Sequence, residues 1–245
     1  MKNRHYTKHV GIVGCSAEGA ALCYKTICTE SRKYLGEHAH PEISMHTHSL
    51  ARYVKCLEAN DLRGVGDLML SSANKLKAQG ADFLVCPDNT IHKAFDYVVQ
   101  KSPLPWLHIG DCVVAAAQAL GYKKPGILGT QWLVESDVYP AKLVTAGLSW
   151  QRPPKKAIEN IGQLIMHELV YGIFKPETVQ YFQNIIGDLE DAGCDSVILG
   201  CTEIPLIIDN SNSSIPTLNS NRLLAEAAIK EAIPVDRRMS SYHTS

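Results

Sequence analysis

The 245-residue chain has no apolar run long enough to cross a bilayer and no excess of either charge, with 24 Lys and Arg against 25 Asp and Glu. The first lack argues against a membrane-spanning helix. The second, joined to the absence of any basic run interleaved with aromatics, makes nucleic acid a poor partner, because phosphate backbones are held by clustered Lys and Arg. The opening MKNRHYTKHVGIVG is basic, but its apolar stretch is too short for a signal-peptide core. A cytoplasmic protein is expected. Its eight cysteines, at 15, 23, 28, 56, 86, 112, 194 and 201, form no CxxC pair and follow no secreted-scaffold spacing, so reduced thiols are expected. The glycine-rich GIVGCSAEG lacks the third glycine of GxGxxG and the Lys-Ser/Thr of a Walker loop, which leaves little basis for nucleotide binding.

What the chain does have is alternation. Short apolar runs bounded by turn residues, HVGIVG at 9–14, ADFLVC at 81–86, PGILG at 125–129 and SVILG at 196–200, are separated by stretches of helical spacing such as LSSANKLKAQ, IENIGQLIMHELVYGIF and YFQNIIGDLEDA. Strands alternating with helices imply an α/β fold with parallel sheets covered on both faces. The halves also match. Gly126 follows Gly11 by 115 residues, Gly193 follows Gly80 by 113, and PTLN from Pro216 follows PWLH from Pro105 by 111, each of the last two leading into an alanine-rich stretch. Three anchors in order, drifting by two residues at a time, indicate a duplication and two pseudo-symmetric α/β domains. The expected boundaries are 1–102 plus 214–245 for the first domain and 103–213 for the second. RPPKKAIEN reads as a solvated loop with a charge run.

Ligands of open parallel sheets bind beyond the carboxyl ends of the strands, so a cleft between facing domains is expected there. Its lining would be Gly14, Cys15 and Ser16; Asp88, Asn89 and Thr90; Gly129 and Thr130; and Cys201, Thr202 and Glu203. Small hydroxyls, amides and exposed backbone N–H groups suit a small carboxylate. The segments GADFLVCPDNTIH and GCDSVILGCTEIP place Asp88 and Cys201 at the same point of the repeat, eight residues on from a glycine, and hence on opposite walls. A donor on one face of a carbon and an acceptor on the other can invert a stereocentre without a cofactor. A thiol suits the task if a helix N-terminus draws its pKa from about 8.5 toward neutrality. A carboxylate of pKa about 3.9 is a weak base unless desolvated.

These two segments resemble the signature strands of the aspartate/glutamate racemase family, the cofactor-independent amino-acid racemases, whose pattern reads Cys-Asn-Thr in the first and Gly-Cys-Thr-Glu in the second. GIVGCSAEGA resembles the family's opening loop, HELVYGIFKPE its second-domain helix, and PTLNSNRLLAEAA its closing strand and helix, so the similarity spans nearly the whole chain. The resemblance implies two pseudo-symmetric domains, an inter-domain active site, an amino-acid or small-carboxylate substrate, no cofactor and a homodimer. It makes Cys201 the second catalytic cysteine, facing the α-proton of the L-enantiomer. Asn89, Thr90, Thr130 and Thr202 match positions that hold the substrate, Ser16 falls in the opening loop, and Glu203 lies where a polar residue supports the thiol. Asp88 stands where the first catalytic cysteine belongs. Three readings follow: Asp88 as acid/base of an asymmetric racemase or epimerase; Cys201 alone protonating an enolate, as the related single-cysteine arylmalonate decarboxylases imply; or Asp88 orienting water or an ammonium in a hydrolase, lyase or non-catalytic binding homologue.

Other residues compete for roles. Cys86, two residues before Asp88, is a second candidate for the missing thiol. Asp88 could cap the helix that follows it. EHAHPEISMHTH pairs His38 with His40 and His46 with His48, and alternation on a strand would put His46 and His48 on one face. With no carboxylate or cysteine completing a ligand set, no metal is expected, and these histidines border the cleft or lie half exposed. Arg52, Lys93 and Lys175 are candidates for a distal carboxylate, and Trp132 for a wall against a bulkier substrate.

Overall fold

The computed structural model describes residues 7–234; the first six residues of the basic opening segment and residues 235–245 lie outside the described residues. The chain divides into two compact units. The first takes the described residues up to Pro87, Ala94–His108 and those from Leu224 onward, and the second takes Asp88–Lys93 and Ile109–Leu223.

The first unit holds a four-stranded sheet built from β1 (Val10–Gly14), β2 (Ile43–Thr47), β3 (Phe83–Val85) and β4 (Trp106–Leu107), in the order β2-β1-β3-β4, every pair parallel. Every residue of β1 and β3 is buried, as expected of interior strands with both faces covered, whereas β2 keeps Met45 and Thr47 exposed because it forms the edge. The helix Ala17–Glu30 follows β1 and is capped by Ser16, whose Oγ accepts from the Gly19 N–H at 3.1 Å. Helices Leu50–Glu58 and Leu62–Ala78 make the crossover from β2 to β3.

The second unit holds β5 (Pro125–Leu128), β6 (Ser196–Leu199) and β7 (Thr217–Asn219), again parallel and in the order β5-β6-β7. Successive strand residues point to opposite faces, and each face has its own core. Leu128, Val197 and Leu199 pack with Ile161, Ile165, Phe182 and Ile186 on one side. Ile127 and Ile198 pack with Val113, Tyr139, Leu143 and Leu218 on the other. The helices Lys155–His167 and Pro176–Asp191 supply the first layer.

The repeat read from the sequence reappears in strand pairing. Val10 pairs with Phe83 and Leu84 with Trp106 in one sheet; Pro125 pairs with Ser196 and Val197 with Thr217 in the other. These partners are related by the same offsets of 115, 113 and 111 residues that separate the sequence anchors. Two similar parallel-sheet units in one α/β chain are therefore the architecture.

Two local expectations give way. The helix Lys155–His167 starts inside RPPKKAIEN, because Pro154 at its N-cap has extended backbone and the apolar positions Ala157, Ile158, Ile161 and Ile165 already face the core. The stretch to Phe174 is not one helix either. It breaks at Glu168, whose carboxylate accepts from Lys175 Nζ and Thr178 Oγ1, both at 2.6 Å, and closes on Gly172 at φ 70°. A left-handed residue there favours glycine.

Candidate active site

Strand ends β5 and β6 come so close that only glycine fits between them. A Cβ on Gly200 would lie 2.7 Å from the Leu128 carbonyl oxygen and 2.6 Å from Leu133 Cδ2, and one on Gly129 would lie 3.1 Å from the Gly200 oxygen. The Gly200 N–H donates to that Leu128 oxygen at 2.8 Å. This crossing delivers Thr130 just past β5 and Cys201 just past β6. Asp88–Lys93, which follows β3 in sequence, belongs to the same unit.

Within it the small polar side chains form pairs. Thr90 Oγ1 and Thr130 Oγ1 are 2.8 Å apart, and Thr130 also caps the short helix Gln131–Val134 through the Leu133 N–H. Asn89 donates from Nδ2 to Ser220 Oγ at 3.0 Å and accepts from the Tyr139 hydroxyl at Oδ1; Ser220 in turn donates to the Leu199 carbonyl at 2.8 Å. Asn89, Tyr139 and Ser220 thereby tie the Asp88 segment to the end of β6 through a chain of buried hydrogen bonds, each partner satisfied.

The thiol of Cys201 donates to Glu203 Oε2 at 2.9 Å, and the Thr202 hydroxyl donates to the same oxygen at 2.7 Å. Cys201 is 8% exposed and Glu203 4%. Desolvation pushes the thiol well above its ordinary range, and the negative charge and hydrogen bond of Glu203 push it further; the carboxylate of Asp88 adds a smaller repulsion in the same direction. Cys201 is therefore a protonated thiol at rest, whereas the sequence suggested a helix terminus drawing it toward neutrality. Burial and the neighbouring carboxylates outweigh the Glu203 backbone hydrogen bond, which acts the other way.

His92 was not among the residues singled out from sequence. Fully buried, it is lowered to about 4 chiefly by desolvation and is a neutral imidazole, its Nδ1 donating to the Asp88 carbonyl at 2.9 Å and its Nε2 accepting from the Ile109 N–H at 3.4 Å. The ring fixes the backbone of Asp88, itself 8% exposed. The four-residue spacing from Asp88 to His92 carried no usable signal. Tyr139 and Ser220 were missed for the same reason, since their partners are distant in sequence.

Ser16 and Cys86 lie in the first unit, where Cys86 is fully buried just past β3. His46 and His48 also lie there, with ring centroids 4.8 Å apart, against the helix Leu62–Ala78. Of the basic residues considered for a distal carboxylate, Lys175 is engaged with Glu168 and Arg52 with His48. All eight cysteines are thiols. No helix among the described residues is long and apolar enough to cross a membrane.

A parallel α/β chain that gathers a buried thiol, two carboxylates and a set of small hydroxyls and amides belongs to the class of proteins equipped to move protons on a small polar molecule. The sequence pattern of the Asp/Glu/hydantoin racemase family matches residues 12–228. A broad-specificity amino-acid racemase of Bacillus subtilis is 25% identical over 173 residues, 66% of this chain and 69% of that protein. Among solved structures, a candidate Asp/Glu racemase from Yersinia pestis is similar with a TM-score of 0.84 at 28% identity, covering 92% of this chain and 99% of that one. An aspartate racemase homologue from Pyrococcus horikoshii OT3 is similar with a TM-score of 0.79 at 27% identity, over the same shares of the two chains. The chain belongs to the Asp/Glu/hydantoin racemase family. Membership supports a racemase, hence an isomerase acting on an amino acid.

Proposed function

We propose that the protein is a cofactor-independent amino-acid racemase or epimerase with two unlike acid/base groups, Cys201 and Asp88. The observation that carries this reading is the buried Cys201 thiol donating to Glu203 at 2.9 Å and lying close enough to Asp88 to be raised by it. In one direction the Asp88 carboxylate takes the α-proton, electron density moves into the substrate carboxylate, and the Cys201 thiol delivers its proton to the opposite face. In the other, Asp88 first takes a proton from solvent and the thiol passes its proton to Glu203. The thiolate removes the α-proton of the L-enantiomer, Asp88 returns its proton to the opposite face directly or through a water, and Glu203 releases its proton to solvent. The substrate ammonium offsets part of the repulsion that the thiolate meets. Asn89, Thr90, Thr130 and Thr202 hold the substrate and stabilise the carboxylate as it gains enolate character. A homodimer in the cytoplasm belongs to the same reading.

Incubation with L-aspartate, L-glutamate and a broad amino-acid panel in deuterium oxide tests it. Loss of the α-proton signal is expected with the wild-type protein, at least about a hundredfold slower with Cys201→Ser. Absence of α-deuteration across the panel removes the racemase. A second reading, a lyase in which Cys201 alone protonates an enolate left by decarboxylation, draws support from the protonated thiol and from the lack of a partner thiol at position 88. It requires carbon dioxide release from a substituted malonate.

A further inference from the structure

In the first unit a cavity of about 540 Å³ opens between the helix Leu50–Glu58 and the helix Leu62–Ala78. That volume lies in the range of small-molecule sites, roughly 300 to 1,000 Å³. Its charges are segregated by element. Arg52 and Lys55, one turn apart, come from the first helix; Asp61 and Asp67 come from the cap and second turn of the next.

Opposite charges on neighbouring exposed helices ordinarily close into ion pairs, yet among the described residues no ion pair joins Arg52 or Lys55 to Asp61 or Asp67. Each of three is held elsewhere. Asp61 caps its helix through the Gly64 N–H at 2.8 Å, and Asp67 accepts from the Tyr97 hydroxyl at 2.6 Å. Arg52 donates to His48 Nδ1 at 3.1 Å, while His48 Nε2 donates to Ser71 Oγ at 3.1 Å, so one imidazole anchors both a guanidinium and a hydroxyl of the cavity wall. A neutral ring is required, because an imidazolium has no lone pair for Arg52. His46 repeats the arrangement beside it, accepting from Lys75 and donating to Ser72, both at 2.9 Å. This is the use the structure finds for the histidine pair that the sequence places bordering the cleft or half exposed.

We infer that this cavity binds a zwitterion, a free α-amino acid, with its carboxylate on Arg52, Lys55 and Ser71 and its ammonium on Asp61 and Asp67. A ligand carrying both charges completes two half-sites that the fold keeps from neutralising each other. The inference rests on the first unit alone and stands whether or not the racemase reading holds.

The test is an NMR titration of the full-length, isotope-labelled protein with L-alanine, following the backbone amides of Ala59 and Gly64, which line the cavity. Saturable shifts are expected, at least about tenfold weaker in affinity with Arg52→Gln or Asp67→Asn, and with propionate or ethylammonium, which carry one charge each. Cys201→Ser should leave these shifts intact, which separates them from turnover. The assignment is overturned if Ala59 and Gly64 do not move in the wild type, if neither charge substitution weakens binding, or if the singly charged compounds bind as well as alanine.

Discussion

Replacing Glu203 by glutamine removes a unit charge 2.9 Å from the Cys201 sulfur and keeps the size and shape of the side chain. Two unit negative charges at that separation repel by roughly 6 kcal/mol at an effective dielectric of about 20. This is the gross penalty that a Cys201 thiolate meets beside an ionised Glu203. Relaxation and residual water reduce it, and hydrogen bonds to charged groups are worth about 1.5 to 3 kcal/mol net, which sets the floor. The glutamine amide can also turn a donor toward the sulfur and stabilise the thiolate. Desolvation, the largest cause of the raised thiol, and the smaller repulsion from Asp88 both persist, so Cys201 still titrates above the ordinary thiol range. Its titration nonetheless moves down. Alkylation rates resolved by peptide mass spectrometry across a pH series measure this at Cys201, with Cys194, whose thiol is raised mainly by its own burial, as an internal reference. A lower midpoint at Cys201 with an unmoved Cys194 is expected. In the L-consuming direction of the proposed reaction, where Glu203 takes the thiol proton, the glutamine leaves that proton without its acceptor, so turnover near neutrality should fall even though the thiol midpoint is lower. A midpoint that stays put or rises would refute the electrostatic account of the thiol.

Two further predictions concern stability. His92 titrates at about 4 in the folded chain against an ordinary 6.5, so the unfolded chain binds the extra proton between those values. Its contribution is therefore complete above pH 6.5 and is lost as pH falls to about 4, for a total of about 3 kcal/mol; urea unfolding across this window should show that loss, and His92→Asn, which keeps a donor for the Asp88 carbonyl, should flatten it. An unchanged slope in the variant would exclude His92 as the source. Gly200→Ala drives a methyl into the Leu128 carbonyl oxygen, which cannot retreat without stretching its bond from the Gly200 N–H, and should cost about 3 kcal/mol. Gly187→Ala, mid-helix with open space around its Cβ, should instead gain about 0.5 to 1 kcal/mol. Equal thermal midpoints for the two variants would contradict the crowding at the β5 and β6 ends.

The strands were legible because their signal is local. An unbroken apolar run of a few residues between turn residues is too short for a buried helix and fits an interior strand, and the three drifting offsets survive as residue-to-residue register in both sheets. The break at Glu168 was not legible. Its cause is a carboxylate bound to Lys175 and Thr178, seven and ten residues on, and helical periodicity carries no trace of such a bond. The sequence proposes site residues where they stand close after a strand end, as Asp88, Thr130 and Cys201 do. Those that act through distant partners stayed hidden: the Tyr139 hydroxyl reaches Asn89 across 50 positions, and Ser220 reaches it across 131. The state of the thiol was hidden for a different reason. Desolvation sums over everything packed around Cys201, whereas a motif names only its neighbours in the chain.

The repeat makes position 88 and position 201 equivalent in the chain and leaves them unlike in chemistry, and the difference has a direction. A carboxylate is ordinarily ionised at neutral pH, while this thiol is held protonated by burial and by Glu203. On the proposed reading the resting protein is thus set with a base at 88 and an acid at 201, ready for the direction in which Asp88 takes the proton. The reverse direction must first move the thiol proton onto Glu203, an added cost in its barrier. Such asymmetry divides the two directions in kcat and KM only within the limit set by an equilibrium constant that no enzyme alters. For a free amino acid with one stereocentre that constant is unity, so a faster turnover in one direction must be matched by a proportionally weaker KM there. On that reading Glu203 sets this division, because it receives the proton while Cys201 acts as a base.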